Sequence, residues 1–139
     1  MRIAQDRLTV ETTPREIKDI TREIGSWVAR QKIARGLLTV FIPHTSASLL
    51  IQENADPDVR RDLENFFARL VPDGDPHFAH TAEGDDDMPA HVRTALTAVN
   101  LSIPLDRGQL ALGTWQGIYL WEHRKSPHTR LVAVHFVGE

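Results

Sequence analysis

The last third of the chain constrains the fold most. Leu131, Ala133, His135 and Val137 alternate with Val132, Val134 and Phe136, the period-two pattern of a β-strand. That spacing makes His135 a packed strand residue rather than a site residue. Apolar runs at Leu101–Leu105, Gln109–Leu112 and Trp115–Trp121 precede it. Asp106-Arg107-Gly108 separates the first two runs and has the composition of a hairpin turn, which predicts antiparallel pairing.

Toward the N-terminus, strands and helices interleave. Leu8–Thr12 reads as a short strand. Thr13-Pro14-Arg15-Glu16 has the form of a helix start, with Thr13 as cap, Pro14 at the first position and Glu16 where a capping box places a carboxylate. Ile17, Ile20, Ile24 and Val28 follow at helical spacing, and Gly36 is the expected stop. Two apolar runs, Leu37–Ile42 and Ala47–Ile51, predict strands joined by Pro43-His44-Thr45-Ser46. Asp56-Pro57 opens a second helix with Val59, Leu63, Phe66, Phe67 and Leu70 on its apolar face, and Pro72 ends it. Pro89 opens a third through Val99. Residues 72–88 form a long irregular loop, a feature often functional in a compact domain. The 139 residues, 41% apolar and 25% charged, suit one α+β domain spanning 1–139.

Charge and composition narrow the function. With 16 Lys plus Arg against 19 Asp plus Glu, the net charge of -3 argues against a nucleic-acid partner. The absence of cysteine excludes disulfides, thiolate nucleophiles and thiolate zinc sites. No apolar run approaches the roughly 20 residues that span a bilayer, and Met1–Asp6 lacks a signal-peptide core, so no membrane association and a cytoplasmic location are expected. Dinucleotide, P-loop, zinc-protease and nucleophile-elbow motifs are missing.

Four polar clusters lie at the ends of predicted elements. In His44-Thr45-Ser46 an imidazole stands beside two hydroxyls suited to an oxyanion. Glu53-Asn54-Ala55-Asp56 leaves a strand end, with Asp56 already assigned as a helix cap. His77, His80, Glu83, Asp85, Asp86, Asp87 and His91 combine imidazoles and carboxylates, the donor set of a divalent metal. Gly113-Thr114-Trp115-Gln116-Gly117 precedes Glu122-His123-Arg124-Lys125, where the cations suit phosphate.

These clusters, with the pieces His44-Thr45-Ser46-Ala47-Ser48-Leu49, Glu53–Arg60, Glu83–His91, Gly113–Ile118, Glu122-His123-Arg124 and Gly138-Glu139, run in order through almost the whole length. In them the chain resembles the YjbQ-like family, uncharacterised protein family UPF0047, sometimes labelled secondary thiamine-phosphate synthase. The resemblance implies a β-sandwich-like α+β domain with antiparallel sheets, assembly as a homotrimer, and a metal at a histidine-rich pocket. The family's recurrent histidines correspond to His44, His80, His91 and His123. The implied activity joins a pyrimidine-methyl diphosphate to a thiazole phosphate with loss of diphosphate.

On that basis His44, His80 and His91 are the expected ligands of a divalent metal. Zinc is favoured because neutral imidazole suits it, with nickel, iron and manganese open. Three such ligands leave a position for water or substrate. Glu53, Asp87, Glu122 and His123 are the catalytic candidates. Thr45, Ser46, Asn54, Gln116, Gly117 and Arg124 are the candidates for holding a phosphorylated small molecule, Arg124 through its two-pronged guanidinium. A metal-dependent hydrolase with Glu53 or Glu122 as base, and a non-enzymatic metal or phosphometabolite-binding protein, are the alternatives.

Overall fold

Every strand pairing in the chain is antiparallel, and together the strands make two sheets. The computed structural model describes residues 1–139. In chain order the elements are β1 (Arg2–Glu11), β2 (Ile17–Asp19), α1 (Thr21–Gln31), β3 (Gly36–Phe41), β4 (Ala47–Glu53), α2 (Pro57–Leu70), α3 (Asp87–Leu96), β5 (Asn100–Asp106), β6 (Gln109–Leu110), β7 (Gln116–Glu122) and β8 (Thr129–Gly138). The larger sheet has the order β1-β8-β3-β5-β6, and the smaller β2-β7-β4. Asp106-Arg107-Gly108 makes the expected β5–β6 hairpin. The last two strands do not pair with each other: β7 lies between β2 and β4, and β8 between β1 and β3.

The period-two pattern decides which side chains enter the core. Val132, Val134 and Phe136 of β8 point inward beside Leu38 and Val40 of β3 and Ile103 and Leu105 of β5. Ala47, Leu49, Ile118 and Leu120 of the smaller sheet and Ile24, Trp27 and Val28 of α1 close the same core, giving one sandwich-like α+β domain. Each buried aliphatic of this kind contributes about 2 kcal/mol. The opposite parity of the larger sheet leaves Ile3, Leu37, Phe41 and Leu131 exposed. His135 shares that outer face, half-buried beside Gln5, rather than packing inside as its apolar neighbours suggest.

The first and third helices depart from the sequence reading: α3 runs Asp87–Leu96 instead of Pro89–Val99, and α1 starts late and stops early. Glu16 Oε1 accepts from the Thr13 amide at 3.1 Å, so the capping-box contact forms, but around a turn that leads into β2. The helix starts at Thr21, whose amide and hydroxyl both donate to Asp19 Oδ1. It ends at Lys32 in the left-handed region, not at Gly36. Gly36 instead opens β3, pressed so close to β8 that a Cβ would stand 2.2 Å from the Val137 carbonyl oxygen. The second helix begins as expected, with Asp56 accepting from the Asp58 amide at 2.9 Å.

Helix α2 lies on the outer face of the smaller sheet. Phe67 meets Trp121 edge-on at 4.9 Å between ring centroids, and Glu64 accepts from both Trp121 Nε1 and Arg93 of α3. This packing sets α3 and the strap before it, residues 72–86, against the ends of β4 and β7. No helix is long and apolar enough to cross a membrane.

Candidate metal centre

Asp87 opens α3 and His91 follows one helical turn later on the same face. The strap brings His80 to the same point. One ligand atom from each of His80, Asp87 and His91 lies within 4.8 Å of the others. Asp87 Oδ2 is 2.6 Å from His80 Nε2 and 3.1 Å from His91 Nε2. On the far side of its ring, His91 Nδ1 donates to the Thr45 carbonyl at 2.9 Å. A carbonyl only accepts, so Nδ1 holds a proton and Nε2 is the atom left to coordinate. That backbone-oriented imidazole is the usual support of a metal-binding histidine. Asp87 is 3% exposed at its side chain, while His80 and His91 are 44% and 32% exposed, so the group opens to solvent on the imidazole side.

The carboxylate of Asp87 is also braced from behind. Burial opposes its ionisation, but the His80 hydrogen bond and the charges of Arg124 and His91 outweigh this and hold it below the usual carboxylate range. Arg124 donates to Asp86 from Nε at 2.9 Å and to the Glu83 carbonyl from Nη2 at 3.0 Å, and its Nη1 stands 2.9 Å from Asp87 Oδ1. Burial likewise works against Asp86, yet Arg124 and the Lys125 amide bring its carboxyl down to about 2. All three guanidinium nitrogens are therefore committed to the protein. Arg124 orients the acidic edge of the centre; it does not offer the free fork expected for phosphate.

His44 stands apart from this group. Its Nε2 accepts from the Leu131 amide at 2.9 Å, and burial and Arg130 lower its pKa. Asp87, expected nearby, rather than His44, completes the group with His80 and His91. Ser46 accepts from Arg130 Nη2 through both Oγ, at 3.0 Å, and its carbonyl, at 3.1 Å. Thr45 contributes its carbonyl rather than its hydroxyl.

Glu122 and His123 are enclosed rather than reactive. Fully buried, Glu122 accepts from Thr12 Oγ1 at 2.6 Å, from Arg130, and from the Arg124 amide. These bonds overcome its burial and keep it ionised. His123 is 0% exposed, with Nε2 2.8 Å from Ser48 Oγ, and its ring packs on Trp121 at 4.9 Å. Burial, reinforced by Arg93 and Arg130, depresses its pKa to about 3. Neither residue reaches the His80–Asp87–His91 group, and neither has an open side for proton transfer.

The remaining candidates occupy the other end of the smaller sheet. Ala47 pairs with Glu122 and Glu53 with Gln116, six positions along β4, which is about 20 Å. There Glu53 Oε2 accepts from the Ala55 and Asp56 amides, closing the turn into α2. Asn54 Nδ2 donates to the Thr114 and Gln116 carbonyls, and Gln116 Oε1 accepts from the Gly113 amide. Gly117 makes room for the Tyr119 ring of the same strand and for Asn54, which a Cβ there would meet at 3.0 and 3.3 Å. Within one chain these four residues build a loop. They share no pocket with the imidazoles, and Glu53 and Glu122 are both unavailable as a base at the centre.

The Thr45 carbonyl and the Arg15–Asp73 ion pair beside the strap carry no signature in the sequence. The first is a backbone role without a residue signature. The second is a pair 58 positions apart that only the fold brings together.

A family model described as UPF0047 protein YjbQ-like matches residues 6–139. A UPF0047 protein of Synechocystis sp. is 51% identical over 135 residues, covering 97% of this chain and 92% of its own length. The UPF0047 protein YjbQ of Escherichia coli O157:H7 is 40% identical over 136 residues, with 97% and 98% covered. Among solved structures, a hypothetical protein of Aeropyrum pernix K1 superposes with a TM-score of 0.90 at 31% identity, covering 98% of this chain and 99% of that one. The match spans the whole domain, including the strap and α3, and the chain therefore belongs to the YjbQ-like UPF0047 family.

Proposed function

We propose that the chain is a metal protein whose ion is held by His80 Nε2, Asp87 and His91 Nε2, and that zinc is its physiological occupant. The observation that carries this reading is the pairing of His91: one ring nitrogen is fixed on the Thr45 carbonyl and the other is aimed at Asp87. Two imidazoles and one carboxylate suit zinc, iron or manganese by donor type, and the neutral nitrogens favour zinc. A divalent ion bound there supplies a Lewis acid for the oxygens of a phosphoryl group.

We infer a phosphorylated small molecule as the ligand, with the thiamine-phosphate synthase-like transfer implied by the resemblance as the candidate reaction. Glu83, Asp85 and Asp86 surround the centre with negative charge, and Arg124 is already paired. Attraction for a phosphate therefore rests on the ion rather than on a free cation of the chain. Arg124 and Asp86 keep Asp87 in place, and Thr45 keeps the His91 ring from turning. Glu53 and Glu122, the bases named for the hydrolase, are both spent on contacts within the protein, which favours the transferase over the hydrolase. Assembly as a homotrimer of about 47 kDa, three times 15.7 kDa, would cover the exposed Leu37, Phe41 and Leu131 of the larger sheet.

Elemental analysis of protein purified without added metal, with zinc titration of the stripped chain, tests the centre. His80→Ala, Asp87→Asn and His91→Ala are expected to lose the ion, and His44→Ala to keep it. Equal metal content in the wild type and the Asp87 and His91 variants would refute the assignment. Release of diphosphate with formation of the carbon–nitrogen bond, lost in the same variants, tests the reaction.

A further inference from the structure

The strap that carries His80 is fastened to the body by charge. Apart from the His80–Asp87 bond and the first bonds of α3, the side-chain hydrogen bonds and ion pairs from residues 73–86 to the rest of the chain run to Arg15, Arg124 and Lys125. Arg124 and Lys125 hold its last residues beside α3. At its beginning Lys125 Nζ stands 3.6 Å from Asp73 Oδ2, but the close, two-pronged bond there is that of Arg15, whose Nη1 and Nη2 reach the Asp73 oxygens at 2.9 and 2.5 Å. The two side chains are 16% and 20% exposed, so water screens the pair less than a surface bridge.

Arg15 is itself anchored to the site. It sits in the turn between β1 and β2 with φ of 51°, a left-handed conformation unusual for a side chain this large. In that conformation its amide donates to the Arg124 carbonyl at 3.0 Å and its Nε to the His123 carbonyl at 3.4 Å. The residue thus grips the segment that braces Asp87 with its backbone and the His80 strap with its guanidinium. We propose that Arg15 is a positioning residue of the metal centre, its clasp on Asp73 setting the reach of the strap and hence the availability of His80 as a ligand. The inference rests on the metal reading above and adds to it a control of metal affinity by a residue that touches none of the ligands.

Cobalt(II) titration followed by visible absorbance tests this in the wild type, Arg15→Ala, Arg15→Lys, Asp73→Asn, His80→Ala and the Arg15→Ala/His80→Ala double variant. Amide hydrogen exchange is measured on the same proteins. Loss of an outer partner of a metal ligand weakens binding about 10- to 100-fold. Arg15→Ala and Asp73→Asn are expected to weaken cobalt binding about tenfold and to speed exchange at Gly74 and Gly84, whose amides bond within the strap. Exchange in Val132–Phe136 should stay as in the wild type. Arg15→Lys restores charge without the fork and should fall between. The double variant should bind no more weakly than His80→Ala.

An equal loss from Arg15→Ala in the His80→Ala background would overturn the proposal, as would unchanged strap exchange in both Arg15→Ala and Asp73→Asn. If Arg15→Ala does not fold, Arg15→Lys and Asp73→Asn carry the same comparison. Failure of the wild type to bind cobalt would instead bring down the metal reading, and strap exchange would still decide whether Arg15 positions His80.

Discussion

Lowering the pH from 6.5 to 5 should destabilise the fold chiefly through His123. The imidazole is 0% exposed, and burial first, then Arg93 and Arg130, bring its pKa from 6.5 to about 3. Once unfolded, the ring titrates at its ordinary value. The unfolded chain therefore binds the extra proton throughout the interval between 6.5 and about 3, and stability rises with pH there. Above pH 6.5 the ring is neutral in both states and costs nothing. Each pH unit below is worth about 1.4 kcal/mol, so at pH 5 the loss is about 2 kcal/mol. That is a large share of the roughly 5–15 kcal/mol that holds a domain together. His44, also lowered, adds in the same direction. The depressed carboxylates Asp86, Asp87 and Glu122 enter only below the ordinary carboxylate range.

Urea unfolding at fixed protein concentration, at half-unit steps from pH 8 to 5, measures the slope. His123→Gln keeps an amide within reach of Ser48 and cannot titrate. It should start less stable at pH 8 and then lose about 1.4 kcal/mol less per pH unit below 6.5 than the wild type. Equal slopes in the two proteins, or a flat wild-type profile, would refute the assignment of His123 as a buried neutral ring.

The Glu64–Arg93 pair should respond asymmetrically, because Arg93 is 0% exposed and its Nε and Nη2 already lack partners. Glu64→Ala strips the remaining bonds of Arg93 and Trp121 and should cost about 3 kcal/mol in urea unfolding, whereas Arg93→Met should be close to neutral. A large loss from Arg93→Met would contradict this. Gly36→Ala puts a Cβ 2.2 Å from the Val137 carbonyl at φ of 155° and should lower stability by about 3 kcal/mol or more, seen as a fall in Tm. A wild-type Tm would mean that β3 and β8 separate easily at that corner.

The β architecture was legible because its signals are local. Alternation over 131–137 and the turn at 106–108 each specify a strand or hairpin without reference to distant residues. The first helix shows where such signals stop. Thr13 and Glu16 make their capping contact, yet β7 captures Ile17–Asp19 as a strand and delays the helix until Thr21. A cap motif specifies a turn of backbone; the sheet partner decides whether a helix or a strand comes next.

The same division runs through the site. His91 and Asp87 are one helical turn apart, and they meet because the helix starts at Asp87 rather than at the expected Pro89. Of the three expected ligands, His44 matches the imidazole cluster in residue type alone. The Leu131 amide of β8 satisfies it, and that amide lies 87 positions away. Glu53, Asn54, Gln116 and Glu122 have donors and acceptors suited to catalysis, but the ends of a three-stranded sheet expose backbone groups that need the same atoms. Composition cannot separate these uses, because a carboxylate that caps a turn and one that moves a proton are chemically alike. What separates them is how many of their lone pairs the fold has left free. Glu122 has its oxygens filled by Thr12, Arg130 and Arg124, and Glu53 is spent on two amides. Asp87 alone among the catalytic candidates keeps an oxygen turned toward two imidazoles.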